Sequence, residues 1–268
     1  MVPPVMIPPR QKKIYPAALF LVFAGLALLR TDLVTGAFNA TLASLAAGPA
    51  QGLKVISEMV LFAFILLLTA RSLLLDADPA ADLIIVLTAA CFGFLAELWG
   101  THSGLWTYYT GERPPYWIIP AWAIGALVVE RLSRRTGGLL DGTLARLNKD
   151  ALYWAWVLLF YCVFISFLAA KLRAAECILP AALTAAVLLP GGKPRKRDLS
   201  VLLTGSVCVF WADLWGTTNH CWTYHTQAAR FGTAYGISFG AAFDPVIVLA
   251  AVKTAEFLRR RVFFRKIR

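Results

Sequence analysis

Charged side chains are scarce in this chain. Asp, Glu, Lys and Arg make up 15% of its 268 residues, where a soluble globular domain carries about a quarter. That shortage excludes an ordinary water-soluble domain. Histidine occurs three times and cysteine five. The cysteines (Cys91, Cys162, Cys177, Cys208 and Cys221) show no CxxC spacing, and an odd, unpatterned set argues against a disulfide framework or a zinc site. They read as small buried hydrophobes. The sequence has no glycine-rich nucleotide loop, no Ser-His-Asp arrangement and no histidine box, so nothing in it calls for a cofactor or a metal.

What the chain has instead is apolar length. It is 59% hydrophobic with a mean hydropathy of +0.67, and its apolar runs approach the roughly 20 residues that cross a bilayer. The expected fold is an all-α polytopic transmembrane bundle of about eight helices, near 15–29, 55–70, 83–98, 116–132, 152–170, 177–189, 199–214 and 235–258. Residues 31–52 are punctuated by glycine and too polar for a span, so they read as a re-entrant or surface helix. Residues 1–14 form a proline-rich cytoplasmic arm with Arg10, Lys12 and Lys13, and no small-residue cleavage site closes the first span. Two tandem four-helix units, 15–135 and 151–258, flank a basic cytoplasmic connector, 136–150, and a basic tail, 259–268, ends the chain.

The net charge of +11 then sets orientation and is no sign of a nucleic-acid partner. With eight spans, 19 of the 26 Lys and Arg fall on one face. The other face receives Arg30, Lys54, Arg113, Lys171, Arg173 and Arg230, and Lys253 lies within the last span. By the positive-inside rule both termini are cytoplasmic. The expected setting is a bacterial inner membrane.

One stretch is written twice. Glu97-Leu98-Trp99-Gly100-Thr101-His102-Ser103-Gly104-Leu105-Trp106-Thr107-Tyr108-Tyr109-Thr110 recurs as Asp213-Leu214-Trp215-Gly216-Thr217-Thr218-Asn219-His220-Cys221-Trp222-Thr223-Tyr224-His225-Thr226, with eight identities in fourteen positions. All three histidines fall inside these blocks. Glu58 and Glu176 extend the match to the start of another pair of spans. Equivalents four spans apart have the same orientation, which relates the two units by an axis along the membrane normal.

Glu97 and Asp213 are the leading catalytic candidates, each in the last turn of an apolar helix. Ionisable groups at membrane depth are costly and mark functional sites. A carboxyl kept from water can hold its proton at neutral pH and donate it, while a second, ionised one removes a proton or stabilises a cation. The structural alternative is that both acids accept hydrogen bonds from Trp indoles or cap helices. Glu58 and Glu176 are secondary candidates, with His102 and His220 as proton relays. The histidine spacings match no recognised metal motif. Trp99, Trp106, Tyr108, Trp122, Trp215, Trp222 and Tyr224 could line a substrate channel, joined by His225 and by Asp244, which precedes a helix-interior proline. Aromatic faces stabilise carbocations; part of this set serves equally as an interfacial belt. Gly100, Gly104 and Gly216 read as turn residues where the helices stop. Glu130 and Glu256 open matching basic helix ends and read as structural, with Lys253 free to pair with Glu256 or snorkel.

The pattern Glu97-x6-Gly104-x-Trp106-x-Tyr108 resembles the repeated segment of membrane lycopene cyclases. The run Glu97-x2-Gly100-x3-Gly104 resembles the related carotenoid hydratases. What the resemblance implies is acid catalysis on an isoprenoid double bond, with Glu97 and Asp213 as the acid/base pair and Trp106 and Trp222 along the polyene. Where the cyclases continue with Pro-x-Glu-Glu, this chain reads Pro120-Ala121-Trp122.

The expected function is therefore protonation of an isoprenoid or carotenoid-like lipid, leading to cyclisation or hydration. The alternatives are a proton-coupled small-molecule or lipid carrier and a structural subunit of a membrane complex. The partners follow: a membrane lipid or isoprenoid substrate, the bilayer, and a homo-oligomer or membrane assembly left open.

Overall fold

The computed structural model describes residues 21, 25, 28–46, 48–76, 78–142, 146, 148–169, 171, 175–189 and 195–264. The arm, most of the expected first span and the end of the tail lie outside the described residues. The fold is all-α, and five helices are long and apolar enough to cross a membrane by length and composition, which marks an integral membrane protein. Contacts divide the chain into two units, residues 1–78 and 79–268.

In the first unit, helix α1 (Thr31–Ala46) packs on α2 (Pro49–Leu73). Gly48, at φ +122°, makes the turn between them, and Pro49 opens α2 with its preset φ. The segment 31–52, expected as a re-entrant or surface helix, is thus one helix plus the first turn of the next. Along α2, Leu53, Val60 and Leu67 are 64–70% exposed. An apolar stripe of this kind, left uncovered by α1, is at home in hydrocarbon.

The second unit runs α3 (Pro79–His102), β1 (Trp106–Tyr108), a 3-10 turn at Tyr116–Ile118, α4 (Ile119–Asp141), α5 (Lys149–Leu168), α6 (Ala175–Leu188), α7 (Arg195–Thr218), β2 (Trp222–Tyr224), the short α8 (Gln227–Phe231) and α9 (Thr233–Phe264). Helix α4 continues nine residues past the expected end of its span. Its length past Leu132 is charged, and the buried Gly137 lets it pass close to Ser200 of α7. The first residues of the expected connector are accordingly helical. Helix α9 likewise runs through Arg259, Arg260 and Arg261 to Phe264.

Helix α9 is the centre of this unit, packed against α3, α4, α5, α6 and α7. Small residues permit that. Gly205 of α7 lies against Pro245, where an added Cβ would come within 2.9 Å of the proline ring, so α7 and α9 meet almost backbone to backbone. On the opposite side Phe239 and Phe243 stack on α5, with Phe167 and Phe239 ring centroids 3.9 Å apart and Phe164 and Phe243 5.8 Å apart. Among the described residues there is no disulfide; Cys177 is buried, but Cys91 and Cys162 are exposed. Those two face outward as apolar side chains do in lipid, so only one of the five fits the expected buried role.

Candidate functional site

The two repeated blocks end at the same end of the second unit, and they touch. Strand β1 pairs antiparallel with β2 in the register Trp106 with Tyr224, Thr107 with Thr223 and Tyr108 with Trp222. The ribbon is self-complementary: exchanging the strands reproduces the pairing. The flanking bonds repeat it, with Tyr109 N–H donating to Cys221 O at 3.1 Å and His225 N–H to Leu105 O at 2.8 Å.

Each helix reaches the ribbon through the same stop. Leu105 N–H donates to Gly100 O at 2.9 Å and Cys221 N–H to Gly216 O at 2.8 Å, the six-to-one bond of a Schellman ending. The left-handed residue that such an ending needs is Gly104 at φ +60° in one block and His220 at φ +57° in the other. Gly100 and Gly216 have a different task from the expected one. Both are inside helices, and a Cβ on either would collide with the ring of Trp106 or Trp222. They clear the space that lets each Trp fold back over its helix end.

Folding back brings the aromatic polar groups onto the acids. Glu97, 3% exposed, accepts hydrogen bonds from Trp106 Nε1 at 2.9 Å, Tyr108 Oη at 2.9 Å and Trp122 Nε1 at 3.0 Å. Asp213, 4% exposed, accepts from Tyr224 Oη at 3.1 Å, with a weaker contact from the Trp222 indole. Both geometries match the structural alternative weighed from the sequence, in which the acids receive Trp donors. Burial first, then the neighbouring carboxyl charge, pushes the phenols of Tyr108 and Tyr224 well above their usual range, so both remain donors.

Asp244 joins the pair. It sits one turn past Gly240 on α9, where the helix lies against the Asp213 carboxyl, which brings it into the neighbourhood of Asp213 and Glu97. Gly240 is bare for a reason: a Cβ there would strike the Asp213 carboxyl and the Tyr224 hydroxyl. Gly236, one turn earlier, likewise makes room for the Tyr224 ring. Sequence reasoning passed over both glycines, although their Gly-x-x-x-Gly spacing is a known signal of close approach. It also passed over Phe239, whose ring lies 6.3 Å from that of Trp106 and 6.1 Å from that of Tyr224. The described ion pairs include none with Glu97, Asp213 or Asp244.

The other candidates are dispersed. His225 Nε2 lies 2.9 Å from Thr107 Oγ1, across the ribbon. His102 is exposed with Nδ1 2.9 Å from Leu98 O, and His220 is exposed at its turn. Trp99 stands edge-on to Trp106 at 6.0 Å, while Trp215 is half-buried at the matching place in α7. Glu176 is exposed, and what it contributes is its main-chain carbonyl, which accepts the Trp99 indole at 2.6 Å. Glu58, in the first unit, pairs with Lys54 at 3.7 Å. Lys253 pairs with Asp198 at 2.6 Å and not with Glu256. Among the described residues no group of three or more His, Cys, Asp or Glu is arranged to hold a metal ion. No family model, no curated protein and no solved structure matches this chain.

Proposed function

We propose that the protein is an integral membrane enzyme that transfers a proton to an isoprenoid or carotenoid-like lipid, leading to cyclisation or hydration. In this reading the chain has eight spans, counting 15–29, in two tandem four-helix units related by an axis along the membrane normal. Both termini face the cytoplasm of a bacterium, and the aromatic ribbon faces the opposite side of the inner membrane.

The observation that carries the reading is the gathering of Glu97, Asp213 and Asp244 beneath the Trp-Thr-Tyr ribbon, with no described cation paired to them. Unpaired acids at membrane depth are the usual mark of a proton site. The sequence resemblance to carotenoid cyclases and hydratases supports the substrate class. Asp213, with fewer donors than Glu97 and Asp244 nearby, is the acid: its carboxyl proton goes to an alkene carbon and leaves a carbocation on the neighbouring carbon. The faces of Trp106, Trp222 and Tyr224 stabilise that cation. A second double bond closes on it, or water adds, and the proton released returns to a carboxylate. Glu97, held by three donors, fixes the aromatic ceiling.

The test is expression in a lycopene-accumulating host, with products followed by absorption spectrum and mass. Wild type should convert the polyene, Asp213→Asn should lose at least about a hundredfold in rate, the typical worth of a positioned acid, and Asp244→Asn should lose part of it. Full turnover by Asp213→Asn rules the reading out. A carrier is the second reading, favoured by the self-complementary pairing of the two blocks. It requires proteoliposomes to take up a labelled solute in response to a pH gradient, with no change in the solute's mass.

A further inference from the structure

A second feature lies on the far side of Trp99 from the acids. Helices α3, α6 and α9 enclose a half-open groove of about 400 Å³, within the size range of small-molecule sites. Its walls are apolar: Phe92 and Leu95 of α3, Leu183 of α6, Val246 and Ile247 of α9. Polar groups concentrate at one end, where Lys253 and Thr254 close it. Neither Glu97, Asp213 nor Asp244 lines it.

Helix α6 forms the outer wall, and it is strapped at both ends. Pro180 has no N–H, so the Glu176 carbonyl four residues earlier lacks its helical donor; the Trp99 indole supplies one at 2.6 Å. At the other end Lys253 Nζ donates to the orphan Val187 carbonyl at 2.9 Å. Side chains from the two other walls therefore tie both ends of α6 to α3 and α9 and fix the span of the groove between those ties. The Lys253 ammonium has three N–H groups. Val187 O and Asp198, at 2.6 Å, take two, and the third is available to a ligand.

Length identifies that ligand. From Phe243 to Thr254 the α9 wall is about 16 Å long at 1.5 Å per residue, roughly half of a ~30 Å hydrocarbon core. That is the depth of a single leaflet. At the charged end of the groove Asp198 answers Lys253 and Glu256 answers Arg197 of α7, but Arg259, Arg260 and Arg261 follow, so cations outnumber acids there and the end favours an anion. We propose that the groove holds one hydrocarbon chain of an anionic phospholipid drawn from the leaflet at the basic end, with the phosphate at Lys253. This site rests on the membrane reading of the helices and is independent of the proton-transfer reading.

The test uses the full chain in phosphatidylcholine nanodiscs containing a minor fraction of phosphatidylglycerol with a diazirine in its acyl chain. After photolysis the label should concentrate on peptides containing Leu183 and Ile247. Unlabelled phosphatidylglycerol should compete about tenfold better than phosphatidylcholine, a difference of ~1.4 kcal/mol. Leu183→Trp, at a position 57% exposed and so tolerant of bulk, should fill the groove and remove most labelling. Lys253→Gln should abolish the preference for the anionic lipid while Lys253→Arg keeps it, all variants being matched to wild type by gel filtration and circular dichroism. Labelling of α2 as strong as that of the groove, or unchanged by Leu183→Trp, overturns the proposal. So does an anionic preference that survives in Lys253→Gln.

Discussion

The two ends of the second unit handle the same chemical group in opposite ways. At the basic end buried and half-buried acids meet cations: Asp82 pairs with buried Arg131, Glu130 with Arg134 at 2.7 Å and Arg197 at 3.5 Å, Asp198 with Lys253 at 2.6 Å, and Glu256 with Arg197. At the aromatic end the hydrogen-bond partners of Glu97 and Asp213 are neutral. Glu97 meets two indoles and a phenol, and Asp213 meets the Tyr224 phenol. A guanidinium cancels a carboxylate's charge as well as satisfying its lone pairs; an indole only satisfies. Where the charge is cancelled the group holds helices together; the proposed proton transfer draws on the acids whose partners are neutral.

The largest break in that contrast should come from the charged side. Arg131→Ala strands Asp82, whose side chain is 5% exposed, and leaving one partner of a buried pair costs about 3–5 kcal/mol. A fall in detergent unfolding stability of under about 1 kcal/mol would mean that Asp82 is not held as described. Next comes the aromatic side. Glu97→Ala leaves two buried donors and the half-buried Trp122 indole without an acceptor, at about 1–3 kcal/mol for a stranded group, so it should cost at least about 3 kcal/mol. Asp213→Ala strands chiefly the Tyr224 hydroxyl and should cost about 2 kcal/mol less than Glu97→Ala. Equal losses would remove the distinction between an acid held by three donors and one held chiefly by a single phenol. Smaller still is Trp122→Phe, which deletes the one donor on Glu97 with no counterpart on Asp213. It should cost about 1 kcal/mol alone, and in that background Glu97→Ala should cost correspondingly less, a coupling that a double-mutant cycle reads directly.

The sequence made the acids and the apolar helices legible, because isolated carboxyls in hydrophobic runs stand out and helical spans are local. Five of the expected spans coincide with helices long and apolar enough to cross a membrane. The ribbon was not legible. Each Trp-Thr-Tyr triple reads by itself as interfacial aromatic belt, and the pairing joins residues more than a hundred positions apart. A duplicated segment that pairs with its own copy leaves one trace, an apolar-polar-apolar triple symmetric about its centre, and that trace is too short to name a strand. The glycines misled for a related reason. Gly100 and Gly216 stand where a turn residue would, and only the returning rings reveal that the need was for space and not for φ. Glu58 and Glu176 matched in number but not in environment. One is answered by a neighbour on its own helix, and at the other the proline downstream makes the backbone, not the carboxyl, the useful group.

The smallest expected effect tests the charged end at its exposed edge. Asp141 closes α4 and takes Lys149 at 2.7 Å, with Lys196 on its other oxygen. Hydrogen bonds from these lysines hold its carboxyl below the usual carboxylate range. A folded-state value below the unfolded one means stabilisation that is complete above the unfolded pKa, about 3.9, and that disappears as pH falls through the folded value. The stability gap between wild type and Asp141→Asn should thus be constant from neutrality to about pH 5 and close on further acidification. Because the pair is exposed, salt should narrow the gap at neutral pH, the screening length being about 10 Å at 0.1 M and about 3 Å at 1 M. For Glu97, itself buried, the donors are uncharged, and the cost of Glu97→Ala should hardly respond to salt. A gap at Asp141 that persists at low pH, or a salt response at Glu97 as large as that at Asp141, would mean that the two ends do not differ in the way their partners indicate.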